Sequence, residues 1–482
     1  MEPSDLLARI HNWDHGPGHR SARLARSITA AIEAGRLPTG TRLPPERALA
    51  TALEVSRGTV ARTYERLRDD ELVFTHHGAG TVVGDPATPT HPTTAQLLRS
   101  DSIVATVGQH DNSIDLRAAA WAADSFLNSL MQPTAPPVAF TDEGYHPAGL
   151  AELREALAAR LTRSGLPTSA EQLVITTGAQ QAIDTVLSTM TRPGDPVIVE
   201  DPSWPGIFEL LSIRHLRPHT VPPTPQDHLP ILRALRERRA DLAYVVPSFH
   251  NPTGGVLAAP ARRLVVEAAA TGSVTLIDDL TMADLWIDEP PPPPLAAIAE
   301  HANIEATIIT VGSLSKVFWG GFRLGWIRAT DHTIRQLARV KAVLDLGTSI
   351  PGQLAALSAL ARYDEIASHR RLTLRTNHRV MIEALREQLP EWSFPTPAGG
   401  MSLWVDTGRP SVDGIVARAR SAGVRIPPAA ACTVSDHDLG HLRLTMTRPA
   451  NDLVAAVSRL AEVVRTTSAS TGLPHMQAPR VG

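Results

Sequence analysis

Apolar positions recur at helical spacing near the start of the chain and as short runs through its middle. Leu24, Ile28 and Ile32 share one helical face and predict an amphipathic helix ending by about Ala34. Gly35 and the turn Pro38-Thr39-Gly40 stop it. Pro44-Pro45-Glu46 opens a second, short helix with Leu49 and Leu53 inward. After the tight connection Glu54-Val55-Ser56, a third helix places Val60, Tyr64 and Leu67 on one side. Leu72–Thr75 and Thr81–Val83 flank His76-His77-Gly78-Ala79-Gly80, the pattern of a β-hairpin with a glycine-bearing tip. Three helices and a hairpin over residues 20–83 make a winged helix-turn-helix pattern, assigned here to a domain of residues 1–83.

The pattern then loosens. Residues 84–112, with Asp85-Pro86-Ala87-Thr88-Pro89, read as an exposed linker. From 113 to 465, helical patterns alternate with the apolar runs Leu173–Thr176, Pro196–Val199, Leu242–Val246, Val274–Ile277 and Thr307–Val311. Such alternation predicts an α/β domain around a buried, largely parallel sheet. Pro290–Pro294 reads as a stiff surface loop, and residues 466–482 as a disordered tail.

Bulk composition narrows the function classes. A net charge of −3 argues against whole-chain attraction to nucleic acid, so DNA affinity has to come from a local patch. A single cysteine, Cys432, excludes an internal disulfide and a thiolate metal cage, which fits a reducing cytoplasm and no metal. It reads as a buried small residue. No secretory signal and no bilayer-crossing run is expected.

Of 46 basic residues, only Lys316 and Lys341 are lysines. Arginine already supplies charge with more donors; only an amine can lose its proton and form a Schiff base with a carbonyl. Lys316 sits in Gly312-Ser313-Leu314-Ser315-Lys316 with Arg323 beyond it, which offers hydroxyl donors and a charged fork for an anion. Gly178, Ala179 and Gln180 follow a strand-like run and open a helix, whose free N–H groups suit a phosphate. Trp204 offers a flat face, Asn251 a bond to a ring hydroxyl, and Asp278 a partner for a pyridinium nitrogen. Together these describe a pyridoxal-phosphate pocket. Each also has an ordinary reading. A strand-end aspartate is more often a helix cap or ion-pair partner, and a lone tryptophan is more often core.

Residues 113–465 resemble a class I/II aminotransferase of fold type I. The resemblance runs through Tyr145–Leu150, Gly178-Ala179-Gln180, Trp204, Asn251-Pro252-Thr253-Gly254, Asp278, Ser313–Lys316, Arg323 and Arg443. It implies Lys316 as the Schiff-base lysine and Asp278 on the pyridine nitrogen, with Asp279 as the second candidate. It also implies phosphate held by Gly178, Ala179, Gln180, Ser313 and Arg323, beside the hydroxyl of Ser315, and a Tyr145 that reaches the neighbouring subunit's phosphate. Arg443 falls where the family binds the substrate α-carboxylate. The family's tyrosine, two or three residues after the ring aspartate, is replaced by Leu280 and Thr281.

On the third helix, Arg57, Gly58, Ala61, Arg62 and Arg66 are left to face outward, where arginines near a helix start can enter the major groove. The segments Thr41–Ala50, Val55–Val60 and Gly78–Thr81 resemble the GntR family of bacterial repressors. That resemblance implies DNA contacts from Arg47, Arg57, Thr59 and the wing glycine Gly78; Ser56, before the third helix, and His77, in the hairpin tip, are further candidates. Ala61 stands where many members carry an arginine, leaving Arg62 as substitute.

The combination is similar to the MocR subfamily. It implies a regulator, a homodimer on double-stranded operator DNA, whose aminotransferase-like domain senses pyridoxal phosphate or an amino compound. Two other readings stay open: an active aminotransferase tethered to DNA, and a head that binds protein.

Overall fold

The computed structural model describes residues 3–10, 13–14, 19–33, 36–37, 41–69, 72–76, 80–83, 113–122, 142–435 and 439–470. The chain falls into two compact units, residues 1–92 and 93–482.

The first unit carries the expected helices: α2 (Arg20–Glu33), α3 (Glu46–Ala52) and α4 (Arg57–Asp69). β1 (Val73–His76) and β2 (Gly80–Val83) pair antiparallel as the hairpin. Leu24, Ile28, Leu49, Val60, Tyr64 and Leu67 are buried together in one core. An earlier helix, α1 (Pro3–Arg9), adds Leu6 to that core and was not expected from the pattern. Thr41 and Leu43 bond the hairpin's second strand through Leu43 N to Thr81 O and Val83 N to Thr41 O, both at 2.8 Å. The wing is thereby anchored beside α3. Tyr64 ties α4 to the same segment, its buried hydroxyl donating to Pro44 O at 2.8 Å.

The second unit is built on a seven-stranded sheet. Its strands are β4 (Leu173–Thr176), β5 (Pro196–Glu200), β6 (Arg217–Val221), β7 (Leu242–Val245), β8 (Thr275–Asp279), β9 (Ile308–Ser313) and β10 (Gly325–Arg328), in the order β4-β10-β9-β8-β7-β5-β6. Only β10 runs antiparallel to its neighbours. All five expected runs form strands. The two not expected have plain reasons. β6 is an edge strand of mixed polarity, and β10 starts on glycine and ends on arginine.

Alternation along the central strands feeds two cores. Leu276 and Ile308 pack in the layer with α5 (Ala151–Arg163), α9 (Ala259–Gly272) and α10 (Leu295–Ala302). Ile277, Ile309 and Tyr244 pack in the layer with α6 (Gly178–Met190) and α7 (Pro205–Ile213). α11 (Asp331–Asp345) also contributes to that second layer, through Ile334 and Leu337. The long α13 (Tyr363–Gln388) packs on α15 (Ala450–Ser470). The ribbon of β11 (Ser402–Asp406) and β13 (His441–Thr445) lies in this C-terminal part. α15 continues to Ser470, so helix replaces the disorder expected from residue 466. Residues 84–112 and 471–482 lie outside the described residues. Among the described residues, no helix is long and apolar enough to cross a membrane.

Tyr64→Phe removes the bond to Pro44 and leaves that buried carbonyl unpaired. The expected cost to the first unit is about 1 kcal/mol. Amide exchange in α4 should quicken about fivefold, and unchanged exchange would show that Tyr64 serves packing alone.

Candidate functional site

Lys316 follows β9, as the run Ile308–Ser313 requires. The lysine is half-buried, and its Nζ donates to Ala119 O at 2.8 Å. Trp121 Nε1 donates to the Lys316 carbonyl at 2.8 Å. Segment 113–121 thus forms one wall of the site, a contribution that sequence reasoning missed because the segment carries no periodic pattern. Burial pushes the amine down from its ordinary value of 10.5 to about 8; Arg443 and Arg323 add to this, and Asp279 opposes it. Lys316, Arg443, Arg323 and Asp279 therefore share one electrostatic environment.

The two consecutive aspartates end β8 on opposite faces. Asp278 shares its face with Leu276, and Asp279 with Ile277. Asp278 is fully buried against the layer of α9 and α10. Its Oδ2 accepts the N–H of Leu295, the first residue of α10, at 2.9 Å. Burial raises its carboxyl to about 6, with the Arg262 guanidinium opposing. Arg262 in turn donates to Pro292 O and Pro293 O, each at 3.0 Å, and to Pro247 O at 2.8 Å. Asp278 is thus a helix cap and the charge partner of a buried arginine that holds the proline run. Its Oδ1 is buried without a partner, so Asp278 keeps an acceptor for a ring nitrogen, and Asp279 stays the second candidate.

Asp279 faces the Lys316 side. Its Oδ2 accepts the Tyr244 hydroxyl at 2.7 Å, and its Oδ1 accepts the Thr281 N–H at 2.8 Å. Burial raises its pKa, while those two bonds and Lys316 oppose the rise. Tyr244 was missed as a site residue. The signal was available, since a tyrosine hydroxyl inside an otherwise apolar strand needs a buried partner. Counted from Asp279, the positions two and three residues on are Thr281 and Met282, so the tyrosine is missing by either count.

The anion side is assembled by close approach of backbone. Gly178 opens α6 with φ +82, a conformation that disfavours a side chain. A Cβ there would meet Arg323 Nη2 at 2.9 Å, and a Cβ on Gly325 would come within 2.6 Å of the Gly178 carbonyl carbon. Arg323 Nη2 donates to Thr177 O at 3.0 Å. Ser315 N donates to Ser313 Oγ at 3.1 Å, and Ser313 Oγ to Leu324 O at 3.2 Å. Ala179 is half-buried and Gln180 exposed on the first turn of α6. Trp204 packs against the core on the α6 side, with its ring over Gly206. Asn251 lies in the loop after β7 and is half-buried.

Arg443 is buried opposite Trp404 on the ribbon and donates from Nη2 to Arg117 O. Tyr145 is exposed to 67%. Cys432 is buried, as expected, and its carbonyl accepts the Ser203 N–H at 2.8 Å.

Several polar atoms are buried here without a partner: Ser315 Oγ, Asn251 Oδ1, Asp278 Oδ1 and Arg443 Nε. Native proteins rarely leave such atoms unpaired. A phosphate at Ser315, a ring hydroxyl at Asn251, a ring nitrogen at Asp278 and a carboxylate at Arg443 are the matching partners. With an amine of lowered pKa, a buried carboxylate and a free helix N-terminus, the donor set fits pyridoxal phosphate.

In the first unit, Arg47, Ser56, Arg57 and Arg62 are exposed, and Thr59 is half-buried. Ser56 caps α4: its Oγ accepts the Thr59 N–H at 3.1 Å and lies 2.8 Å from Thr59 Oγ1. Arg57 Nε lies 3.4 Å from Glu46 Oε2, and Arg62 Nε donates to Gly58 O at 3.1 Å. His77 and Gly78 lie outside the described residues.

Residues 141–460 match the aminotransferase class I and II family, and residues 20–83 match the gntR family of bacterial regulatory proteins. The chain is 27% identical to the HTH-type transcriptional regulator YdfD of Bacillus subtilis, over 80% of this chain and 83% of that protein. It is 25% identical to the HTH-type transcriptional regulator NorG of Staphylococcus aureus, over 76% and 86%. Among solved structures it resembles LysN, the alpha-aminoadipate aminotransferase of Thermus thermophilus complexed with a phosphopyridoxyl-leucine. That likeness has a TM-score of 0.66 and 26% identity, and covers 75% of this chain and 94% of that one.

The two aspartates separate by experiment. Asp278→Asn should lower the melting temperature and shift the absorbance of bound pyridoxal phosphate. Asp279→Asn should have a smaller effect on both. The reverse order of the absorbance shifts would move the ring partner to Asp279.

Proposed function

This chain belongs to the class I and II aminotransferases and carries a gntR-family DNA-binding head, and from that premise we propose that its Lys316 site senses an amino compound and sets the occupancy of operator DNA. It is a pyridoxal-phosphate-dependent transcriptional regulator, in keeping with relatives that are regulators along most of their length. The observation that carries the sensing role is the enclosed amine of Lys316, lowered to about 8 between Arg443, Arg323 and Asp279.

When bound, pyridoxal phosphate supplies an aldehyde open to attack by a neutral amine and a ring that withdraws electrons. The chain's own residues do the rest. Lys316 supplies the amine, part of it unprotonated near neutral pH. Asp278, through its unpartnered Oδ1, holds the proton of the ring nitrogen. Asp279, held by Tyr244 and Thr281, is the second candidate. Arg323, Ser313, Ser315 and the first amides of α6, from Gly178, Ala179 and Gln180, bind the phosphate. Trp204 covers the ring and Asn251 bonds its hydroxyl. Arg443 binds the carboxylate of the effector in bidentate fashion.

In the head, Arg57 and Arg62 on α4 read the major groove, and Arg47 bonds the backbone. Ser56 and Thr59 position the start of α4, and the wing residues His77 and Gly78 approach the minor groove. A homodimer is supported by exposed apolar residues: Tyr145, Val343 at 87%, Leu344 and Leu346. Gly347 packs on the His146 backbone, which brings these segments together. A cytoplasmic location follows from binding DNA.

A second reading, an active aminotransferase, is favoured by the intact Lys316, Asp278 and Arg443. Against it stands the lack of a tyrosine after either aspartate. Sustained keto-acid formation from an amino donor would sink the pure sensor reading.

Two outcomes test the proposal. Covalent attachment of pyridoxal phosphate to the apo protein should speed up as pH rises, because only the neutral amine reacts. The rate should climb about tenfold per pH unit well below the amine's pKa and level off above about 8. A flat profile between pH 6 and 9 would count against Lys316 as the reacting group, and Lys316→Ala should abolish attachment. Separately, Arg57→Ala should weaken specific DNA binding by about 1–3 kcal/mol in salt-dependent titrations. Unchanged binding there would favour a head that binds protein.

A further inference from the structure

Lys341, the second lysine, has no part in the chemistry above. It lies on α11 with no exposed surface, and its Nζ donates to both oxygens of Asp345 at 2.7 Å. Asp345 Oδ2 also accepts Gln181 Nε2 at 2.7 Å, and Oδ1 accepts the Gly347 N–H at 3.0 Å. Gln181, in the first turns of α6, accepts the Thr177 N–H on its Oε1 at 2.7 Å. Thr177 immediately precedes Gly178, and its carbonyl accepts from Arg323 Nη2. A continuous chain of bonds therefore runs from Lys341 to both halves of the anion cradle.

Stability alone is a weak reason for this arrangement, since burying the Lys341 ammonium beside a partly exposed carboxylate is costly and apolar replacements are often as stable. Direction is a better one. An ionised carboxylate only accepts, so Asp345 fixes the donor end of the Gln181 amide towards itself. The acceptor end is then fixed towards Thr177. Turned the other way, the amide would present N–H to N–H, and the tether on Thr177 would be lost. Lys341 neutralises Asp345, which is only partly buried, and holds it in that orientation. Because the pair is neutral as a whole, its effect on the cradle is geometric.

We propose that Lys341, acting through Asp345 and Gln181, is a positioning residue that sets the phosphate cradle at the start of α6 and so determines the site's preference for phosphorylated over unphosphorylated pyridoxal. The inference rests on the reading of Gly178–Gln180, Ser315 and Arg323 as that cradle.

The test measures equilibrium binding of pyridoxal phosphate and of pyridoxal to the full chain, in wild type, Lys341→Met and Gln181→Met. Loss of one bond to a charged network should weaken pyridoxal phosphate roughly tenfold in each variant. Pyridoxal should change less than about twofold, because it lacks the group the cradle holds. Far-UV circular dichroism and melting confirm the fold. If Lys341→Met does not fold, Gln181→Met decides alone, since it removes only the amide link. Equal weakening of both compounds would overturn the proposal as a general structural effect, and so would a phosphate preference kept intact in Gln181→Met. A wild type without any phosphate preference would overturn the cradle reading as well.

Discussion

Successive residues of a strand face opposite ways, and at the end of β8 this puts two adjacent carboxylates in different layers of the protein. The rest of the site depends on that separation. Asp278, on one face, meets Leu295 and Arg262, and through Arg262 the backbone of the proline run. Asp279, on the other, meets Tyr244 and Thr281 and feels the charge of Lys316. Asp278 keeps one oxygen without a partner, whereas both oxygens of Asp279 accept hydrogen bonds. Both are raised by burial, so burial alone does not distinguish them. The partners do, and the partners are set by the pleat.

That division explains what was legible in the sequence. The central strands were readable because each carries several apolar residues in a row, which only a sheet covered on both faces requires. The close approach at Gly178 was readable because a glycine that opens a helix after a strand marks backbone with no room for a side chain. The choice between Asp278 and Asp279 was not, because it turns on the register of a strand end. A one-residue shift reverses every side chain. The ordinary reading of a strand-end aspartate as a cap describes Asp278 Oδ2, while its Oδ1 is left without a partner. Tyr244 and segment 113–121 were also hidden. Their contributions come from contacts distant in sequence, such as Ala119 O with Lys316 Nζ.

The head shows the opposite balance. Its helices, hairpin and inward residues follow from local periodicity, and Val60, Tyr64 and Leu67 are buried as their spacing demands. What periodicity left open is how exposed polar residues divide between holding the head and meeting DNA. Ser56 and Thr59 bond each other at the start of α4, so both build the helix end that presents Arg57. Arg57 meanwhile lies near Glu46 with most of its side chain exposed. An exposed pair of this kind is worth little, so a phosphate or a guanine edge can compete for the guanidinium.

The scarcity of lysine now has a physical shape. Both lysines occupy places where a guanidinium would not serve. At 316 the requirement is a proton that can leave, and burial beside two arginines lowers the amine towards neutrality. At 341 the requirement is a compact cation inside the fold. An ammonium is satisfied by one carboxylate and leaves that carboxylate room to accept from Gln181 and Gly347. An arginine there would bring five N–H groups into a space with no exposed surface and would compete for the same oxygens. Arginine fills the remaining cationic positions, including Arg262, whose fork is matched by backbone carbonyls on three sides. The two amines thus mark the chemistry of the site and the support beneath it, and the path between them runs through α6.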